Sequence, residues 1–433
     1  MSRSVRIEGP AQLRGSLRLP GDKSISHRIM MLASIAGGAS RIVGLASSAD
    51  CRATLDCIRR LGVRVEQAGS DVTIHGRGLF GYRPSEPRVH LDAGNSGSTI
   101  RMLSGLLAGQ HFVSQIDGDA SLRKRPMARI IEPLRTMGAR VEAENGNFAP
   151  LIIHGDELRA IDYVSSVASA QVKTCVLFAG LLAGGRTTFT EPAQSRNHTE
   201  LMLGELGARI ETGPPGTVSL EGRHELEPVD YRVPGDVSSA AFFIAAASVL
   251  PGSDLLIEDV NLNPTRTAFI DVLERFGSVV ERINVRRQHG EPVGDLVIAN
   301  RRLTAARTVL SGRMIPNLID EIPILAVVAT QVEGRVEIRD AKELRVKESD
   351  RIRTVVDGIR AMGGRIEEFE DGFAVEGPQR LSGGRIETME DHRIAMAFSV
   401  AGLMATGTTE IFDASCVGVS FPGFYEALAT LTR

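Results

Sequence analysis

Five short stretches of this chain repeat one another: RRLGVRVE (59–66), RTMGARVE (135–142), GELGARIE (204–211), ERFGSVVE (274–281) and RAMGGRIE (360–367). Each reads as the end of an amphipathic helix, a glycine stop, and a strand that begins with alternating residues. The glycines, Gly62, Gly138, Gly207, Gly277 and Gly363, lie 76, 69, 70 and 86 residues apart. Upstream of each stands a second shared element, a polar start followed by a small-residue apolar helix, a glycine and a strand. It occurs six times: DKSISHRIMMLASIAGG, NSGSTIRMLSGLLAG, SAQVKTCVLFAGLLAGG, GDVSSAAFFIAAASVLPG, IDEIPILAVVATQVEG and EDHRIAMAFSVAGLMATG. Helices so poor in charge beyond the first turn must be buried nearly all round. A repeat of about 70 residues is also too large for a propeller blade or an ordinary solenoid unit. The pattern predicts two α/β lobes of three units each, helices inside and sheets outside. One lobe spans residues 20–232. The other spans 233–433 and is completed by a strand from residues 1–19, so that two short crossings, near 20 and 232, form a hinge.

Composition narrows the function classes. The 433 residues carry 50 Lys and Arg against 53 Asp and Glu, a formal charge of −3 that gives no global attraction to nucleic acid or an anionic membrane. The longest apolar run, AAFFIAAASVL (240–250), is too short to span a bilayer, and the first residues lack the apolar stretch of a secretory leader. A cytoplasmic protein is expected. The cysteines (Cys51, Cys57, Cys175, Cys416) contain no CxxC pair, and the nine histidines no HxxxH, so neither a metal nor a disulfide framework is expected. Cys175 reads as a small core residue.

The polar residues gather where the buried helices begin, and a helix N-terminus offers unpaired N–H groups and partial positive charge to anions. The first copy supplies Lys23, Ser24 and Arg28, the last two four residues apart on one face. A nucleotide-binding loop is excluded because Asp22, not Gly, precedes Lys23. The second copy supplies GNSGST (94–99), Arg101 and Arg125; the third, Ser169, Gln171, Lys173, Arg196 and His198. The later copies add Asp236, Arg266, Asp320–Glu321, KESDR (347–351) and DHR (391–393). Lys347 and Arg351 are spaced for one face of a helix whose apolar side is Ile352, Val355, Val356 and Ile359.

Taken singly, these residues have plainer readings. Ser24 can be a helix cap and Arg28 a solvated charge; Asp320 can be a first-turn acid, Glu348 a surface ion-pair partner and His392 a core or cap histidine. Together they say more. Lys23, Arg28, Arg125, Arg196, Lys347, Arg351 and Arg393 at equivalent places in the repeats exceed what one monoanion needs, and such charges repel unless anions lie among them. With Asp320 and Glu348 nearby, the set suits transfer between two multiply anionic small molecules, with carboxylates moving protons.

The stretches LPGDKSISHR, GNSGST, GDASLRKRPM, SAQVK, SRNHTE, NPTR, LIDEIP, RVKESDR and MEDHRIAMAFS, in that order over nearly the whole chain, closely resemble the 5-enolpyruvylshikimate-3-phosphate synthase family. The resemblance implies a two-lobed inside-out α/β barrel, each lobe of three βαβαββ units, closing over its substrates. It implies transfer of the enolpyruvyl group of phosphoenolpyruvate to the 5-hydroxyl of shikimate-3-phosphate by addition and elimination, with no cofactor or metal, in a monomer. By motif, Lys23, Ser24, Arg28, Ser169, Gln171, Arg196, Asp320 and Lys347 would hold shikimate-3-phosphate. Lys23, Gly97, Arg125, Gln171, Arg351 and Arg393 would hold phosphoenolpyruvate. Asp320 would be the base on the 5-hydroxyl, Glu348 the acid–base group at the methylene carbon, and Lys23 an aid to phosphate departure.

RNHTE, SAQVK and NPTR resemble the subgroup often less sensitive to glyphosate, yet position 97 is Gly where some insensitive members carry Ala; intermediate sensitivity is expected. Many members have a Lys near position 419, where this chain has Val419, so one phosphoenolpyruvate contact is missing or supplied by another residue. The sister enolpyruvyl transferase acting on UDP-N-acetylglucosamine has a Cys five residues before its Arg-Pro pair, where this chain has Ala120. A non-catalytic anion-binding repeat protein would have no need of Asp320 and Glu348.

Overall fold

The structure is a computed structural model and describes residues 4–214 and 216–432; the lobe assignments at Met1 and Arg433 reach beyond them. The chain forms two compact units, one of residues 21–233 with 287–291, the other of the residues up to Pro20 with 234–286 and those from Pro292 on. Among the described residues no helix is long and apolar enough to cross a membrane.

The first of these units has three four-stranded sheets. Its middle sheet sets the plan: Arg88–Asp92 runs parallel to Val113–Asp117, which pairs antiparallel with Phe148–His154, itself paired with Arg140–Glu144. The neighbouring sheet repeats this with Ala39–Val43, Asp71–His75 and Arg64–Ala68, but takes its parallel strand, Asp230–Arg232, from the end of the segment. The inner helices are Lys23–Ser34, Gly97–Ala108 and Ala170–Leu182. Their apolar composition has the expected result: every residue from Val172 to Leu182 is buried. The last two helices pack so closely that a Cβ on Gly105 would lie 2.2 Å from the Cys175 carbonyl oxygen.

The other unit follows the same plan around the inner helices Val237–Val249, Ile322–Ala329 and His392–Met404. Among the described residues two of its sheets are four-stranded, and the last has three strands, Val5–Gly9, Gly407–Ile411 and Arg385–Ile386. Val5–Gly9 pairs antiparallel with Gly407–Ile411, and Arg14–Arg18 runs parallel to the start of Asp254–Asn261. The sixth repeat therefore departs from the βαβαββ pattern. It borrows its antiparallel strand from the chain's beginning and ends in a helix, Phe424–Leu431.

The glycines of the repeated stretches all have positive φ, from 78° at Gly363 to 103° at Gly138, which is the left-handed helix stop that their spacing suggested. One local expectation fails. Lys347 and Arg351 do not share a helix face, because the helix begins at Arg351 and Lys347 lies before it in extended backbone. Asp350 accepts a hydrogen bond from the Arg353 amide at 3.1 Å and so caps the helix there. Ile352, Val355, Val356 and Ile359 do form its buried side.

Candidate active site

In the unit of residues 21–233, every inner helix starts from a side-chain cap. Asp22 accepts from the Ile25 amide at 2.9 Å, Ser96 from Thr99 at 3.0 Å and Ser169 from Val172 at 3.5 Å. Asp22, not Ser24, is thus the first cap, and the Ser24 hydroxyl faces elsewhere: it accepts from Arg196 Nη1 at 3.4 Å. Arg28 is not a solvated charge. It is buried, and its guanidinium donates to Thr199 Oγ1 at 2.8 Å, the Ser24 carbonyl at 2.9 Å and Thr174 Oγ1 at 3.1 Å. The starts of the Lys23, Ala170 and His198–Glu205 helices are drawn together by that one side chain.

A second group surrounds the Gly97 turn. Gln171 accepts from Arg101 Nη1 at 2.9 Å and donates to Ser98 Oγ at 3.0 Å. Arg101 also reaches the Pro126 carbonyl at 3.3 Å, and the neighbouring Arg125 donates to Asn95 Oδ1 at 2.6 Å. The absence of a side chain at Gly97 leaves room for these guanidinium groups, since a Cβ there would lie 2.7 Å from Arg101 Nη1 and 3.5 Å from Arg125 Nη1. Lys23 is paired with Asp50 at 3.0 Å. A chain of hydroxyls, His27 to Thr54 at 2.7 Å, Thr54 to Thr99 at 2.7 Å and Thr99 to Ser96 at 2.8 Å, ties the Lys23 helix to the cap of the Gly97 helix.

In the other unit, acids stand at all three inner helix starts: Asp236, Glu321 and Asp391. The negative charge there already offsets the helix dipoles, so an anion held in this unit would need guanidinium groups. Arg351 is the centre. At 2% exposure its side chain donates to Asp391 from Nε at 2.8 Å and to Glu348 from Nη2 at 2.6 Å, with Asp320 at 3.5 Å from Nη1. Burial works against its charge, but the coulombic pull of Asp391, Glu348 and Asp320 outweighs this and raises its pKa. Asp320 is not the residue at the start of the Ile322 helix; Glu321 is, and it pairs with Arg393 Nη1 at 3.4 Å. Glu321 also accepts from Ser238 Oγ, which receives Arg266 Nη2 at 2.8 Å. His392 is buried as the first residue of its helix.

Lys347 stands apart from the Arg351 group, paired with Glu343 at 3.2 Å. Val419 ends a 3-10 turn, Ala414–Val419. Burial pushes the thiols of Cys51, Cys57 and Cys416 up to about 12 and that of Cys175 higher still, so none is poised as a nucleophile. Sequence reasoning did not single out Asp50, Asn95, Glu191 or Thr199. It named Arg101 at a helix start and quoted Asn95, Thr199 and Asp391 within motifs, but assigned none of them to a substrate.

The chain matches the family model described as EPSP synthase (3-phosphoshikimate 1-carboxyvinyltransferase) over residues 7–428. It is 49% identical to a 3-phosphoshikimate 1-carboxyvinyltransferase of Alkaliphilus metalliredigens over 423 residues, 98% of each chain. Against one of Solibacter usitatus it is 49% identical over 428 residues, 99% of each. A solved structure of EPSP synthase from Acinetobacter baumannii superposes with a TM-score of 0.88 at 40% identity, covering 100% of this chain and 98% of that one.

Proposed function

The chain belongs to the EPSP synthase family, the 3-phosphoshikimate 1-carboxyvinyltransferases, and on that premise we propose how its residues move an enolpyruvyl group from phosphoenolpyruvate to shikimate-3-phosphate. Lys23, Ser24, Arg28, Ser169, Gln171, Arg196 and Lys347 hold shikimate-3-phosphate. Lys23, Gly97, Arg125, Gln171, Arg351 and Arg393 hold phosphoenolpyruvate. Asp320 takes the proton of the 5-hydroxyl as its oxygen bonds to C2 of phosphoenolpyruvate, while Glu348 gives a proton to C3, which becomes a methyl group. Glu348 then removes a proton from that methyl, the C2–C3 double bond re-forms, and phosphate leaves with help from Lys23.

The supporting observation is the arrangement around Arg351. Three carboxylates share one buried guanidinium; Asp391 is fully buried, whereas Asp320 and Glu348 are each 20% exposed at the side chain. An enclosed acid can only anchor. The two that reach solvent can meet substrate and exchange protons with it.

The deciding experiment is phosphate release from phosphoenolpyruvate with shikimate-3-phosphate and, separately, with UDP-N-acetylglucosamine. Release only with shikimate-3-phosphate, lost in Asp320→Ala, supports acceptor and base together; release with neither overturns the reading.

The same reading takes the enzyme as a cytoplasmic monomer, eluting near 46.6 kDa in gel filtration. It also takes sensitivity to glyphosate as intermediate, since Gly97 lacks the methyl group that would crowd the inhibitor. Inhibition at low micromolar glyphosate and modest phosphoenolpyruvate would sink that last point.

A further inference from the structure

Behind the loop that carries Arg196 lies a buried ionic group that no step above uses. The Lys173 ammonium sits 2.9 Å from Glu191 and 2.7 Å from Glu200, with the three side chains 3%, 1% and 8% exposed. One cation against two carboxylates at so little exposure is costly, and an apolar trio would pack there at less cost. What distinguishes this group is where its remaining acceptors point. Glu191 Oε1 accepts the Ser195 amide at 2.8 Å, and Oε2 accepts the Ser195 hydroxyl at 2.7 Å. Lys173 Nζ also lies 3.4 Å from the Ser195 carbonyl, so three groups of this residue are held from one side.

The next residue in the chain is Arg196, whose guanidinium meets Ser24 at the start of the Lys23 helix. A long side chain loses much rotamer freedom when it binds an anion, and that loss is smaller if its backbone is already fixed. We propose that Glu191, oriented by Lys173, is a positioning residue for shikimate-3-phosphate binding: it clamps Ser195 and so aims Arg196. The inference rests on the assignment of Arg196 to shikimate-3-phosphate given above.

The test is kinetic, with the full chain. Glu191→Gln keeps the shape but loses charge and one acceptor; Ser195→Ala removes only the hydroxyl donor. KM for shikimate-3-phosphate should rise about tenfold in the first and about threefold in the second, with KM for phosphoenolpyruvate and kcat within about twofold of wild type. In an Arg196→Ala background neither substitution should add a further rise, because the group they aim is gone.

Losses that add fully to those of Arg196→Ala, or that fall equally on both KM values, would overturn the inference alone. A normal KM for shikimate-3-phosphate in Arg196→Ala would overturn the assignment of Arg196 as well. Should Glu191→Gln not fold, Ser195→Ala and its double variant decide the matter.

Discussion

Arg351 and Asp391 meet where a helix begins: Arg351 Nε donates to Asp391 Oδ2 at 2.8 Å, while Asp391 Oδ1 accepts the Arg393 amide at 2.9 Å. One carboxylate thus fixes the direction of one arginine through its side chain and the start of the helix that carries another. Asp391→Asn keeps a cap acceptor but removes the charge. It should raise KM for phosphoenolpyruvate at least about tenfold and cost ~3 kcal/mol of stability, as expected when a buried ion pair loses one member. Steady-state kinetics and urea unfolding check the two halves.

Asp320 and Glu348 are assigned to different protons, so their loss should look different. Each of Asp320→Asn and Glu348→Gln should lower kcat by about 10²–10⁴ with smaller changes in KM. Turnover in deuterated water separates them. Glu348→Gln should lose incorporation of solvent deuterium into the methylene carbon of the product; undiminished incorporation per turnover would remove Glu348 from that role.

Two glycines should respond oppositely to an added methyl group. At Gly97 the new Cβ meets the far end of Arg101, which can swing away. Gly97→Ala should keep its melting temperature within a few degrees and raise KM for phosphoenolpyruvate several-fold. At Gly105 the obstacle is the Cys175 backbone carbonyl. Gly105→Ala should cost ~1–3 kcal/mol or more, because two packed helices must part. Thermal unfolding of the pair is the measurement.

His27 predicts a pH effect. Burial first, then the charges of Lys23 and Arg28, hold its pKa well below the ordinary value of 6.5, so it is neutral in the fold. The stability associated with this is complete above pH 6.5. It is lost as pH falls below that value, because the unfolded chain then binds a proton that the folded chain refuses. The slope approaches ~1.4 kcal/mol per pH unit. Unfolding at pH 7.5 and 5.5 should show a drop smaller by about 1 kcal/mol in His27→Gln than in wild type.

What could be read from the sequence was whatever repeats or whatever is local. The five glycine stops and the six apolar helices are visible because helix ends and burial leave periodic marks on neighbouring residues. Asp50, Asn95 and Thr199 left no such mark. Their partners, Lys23, Arg125 and Arg28, lie 27, 30 and 171 residues away, and nothing in a short window distinguishes a surface polar residue from one awaiting a distant cation. Lys347 shows the opposite failing. Its i,i+4 spacing from Arg351 suggested a shared helix, but spacing carries no information about a cap in between, and Asp350 starts the helix three residues too late for it.

The pairing of Val5–Gly9 with Gly407–Ile411 bears on how the protein is made. A ribosome delivers residues 21–233, all of that unit but 287–291, while the other unit still lacks everything beyond Pro20. The opening strand must then wait for the strand at 407, roughly ten to thirty seconds later at about 5–20 residues per second. Its sequence, VRIEG, suits that interval, since a short segment carrying one cation and one acid is a poor template for pairing with strangers. The unit completed last is the one that holds Asp320 and Glu348, so on the roles proposed for them a nascent chain has both groups in a finished unit only once Val5–Gly9 and Gly407–Ile411 have paired.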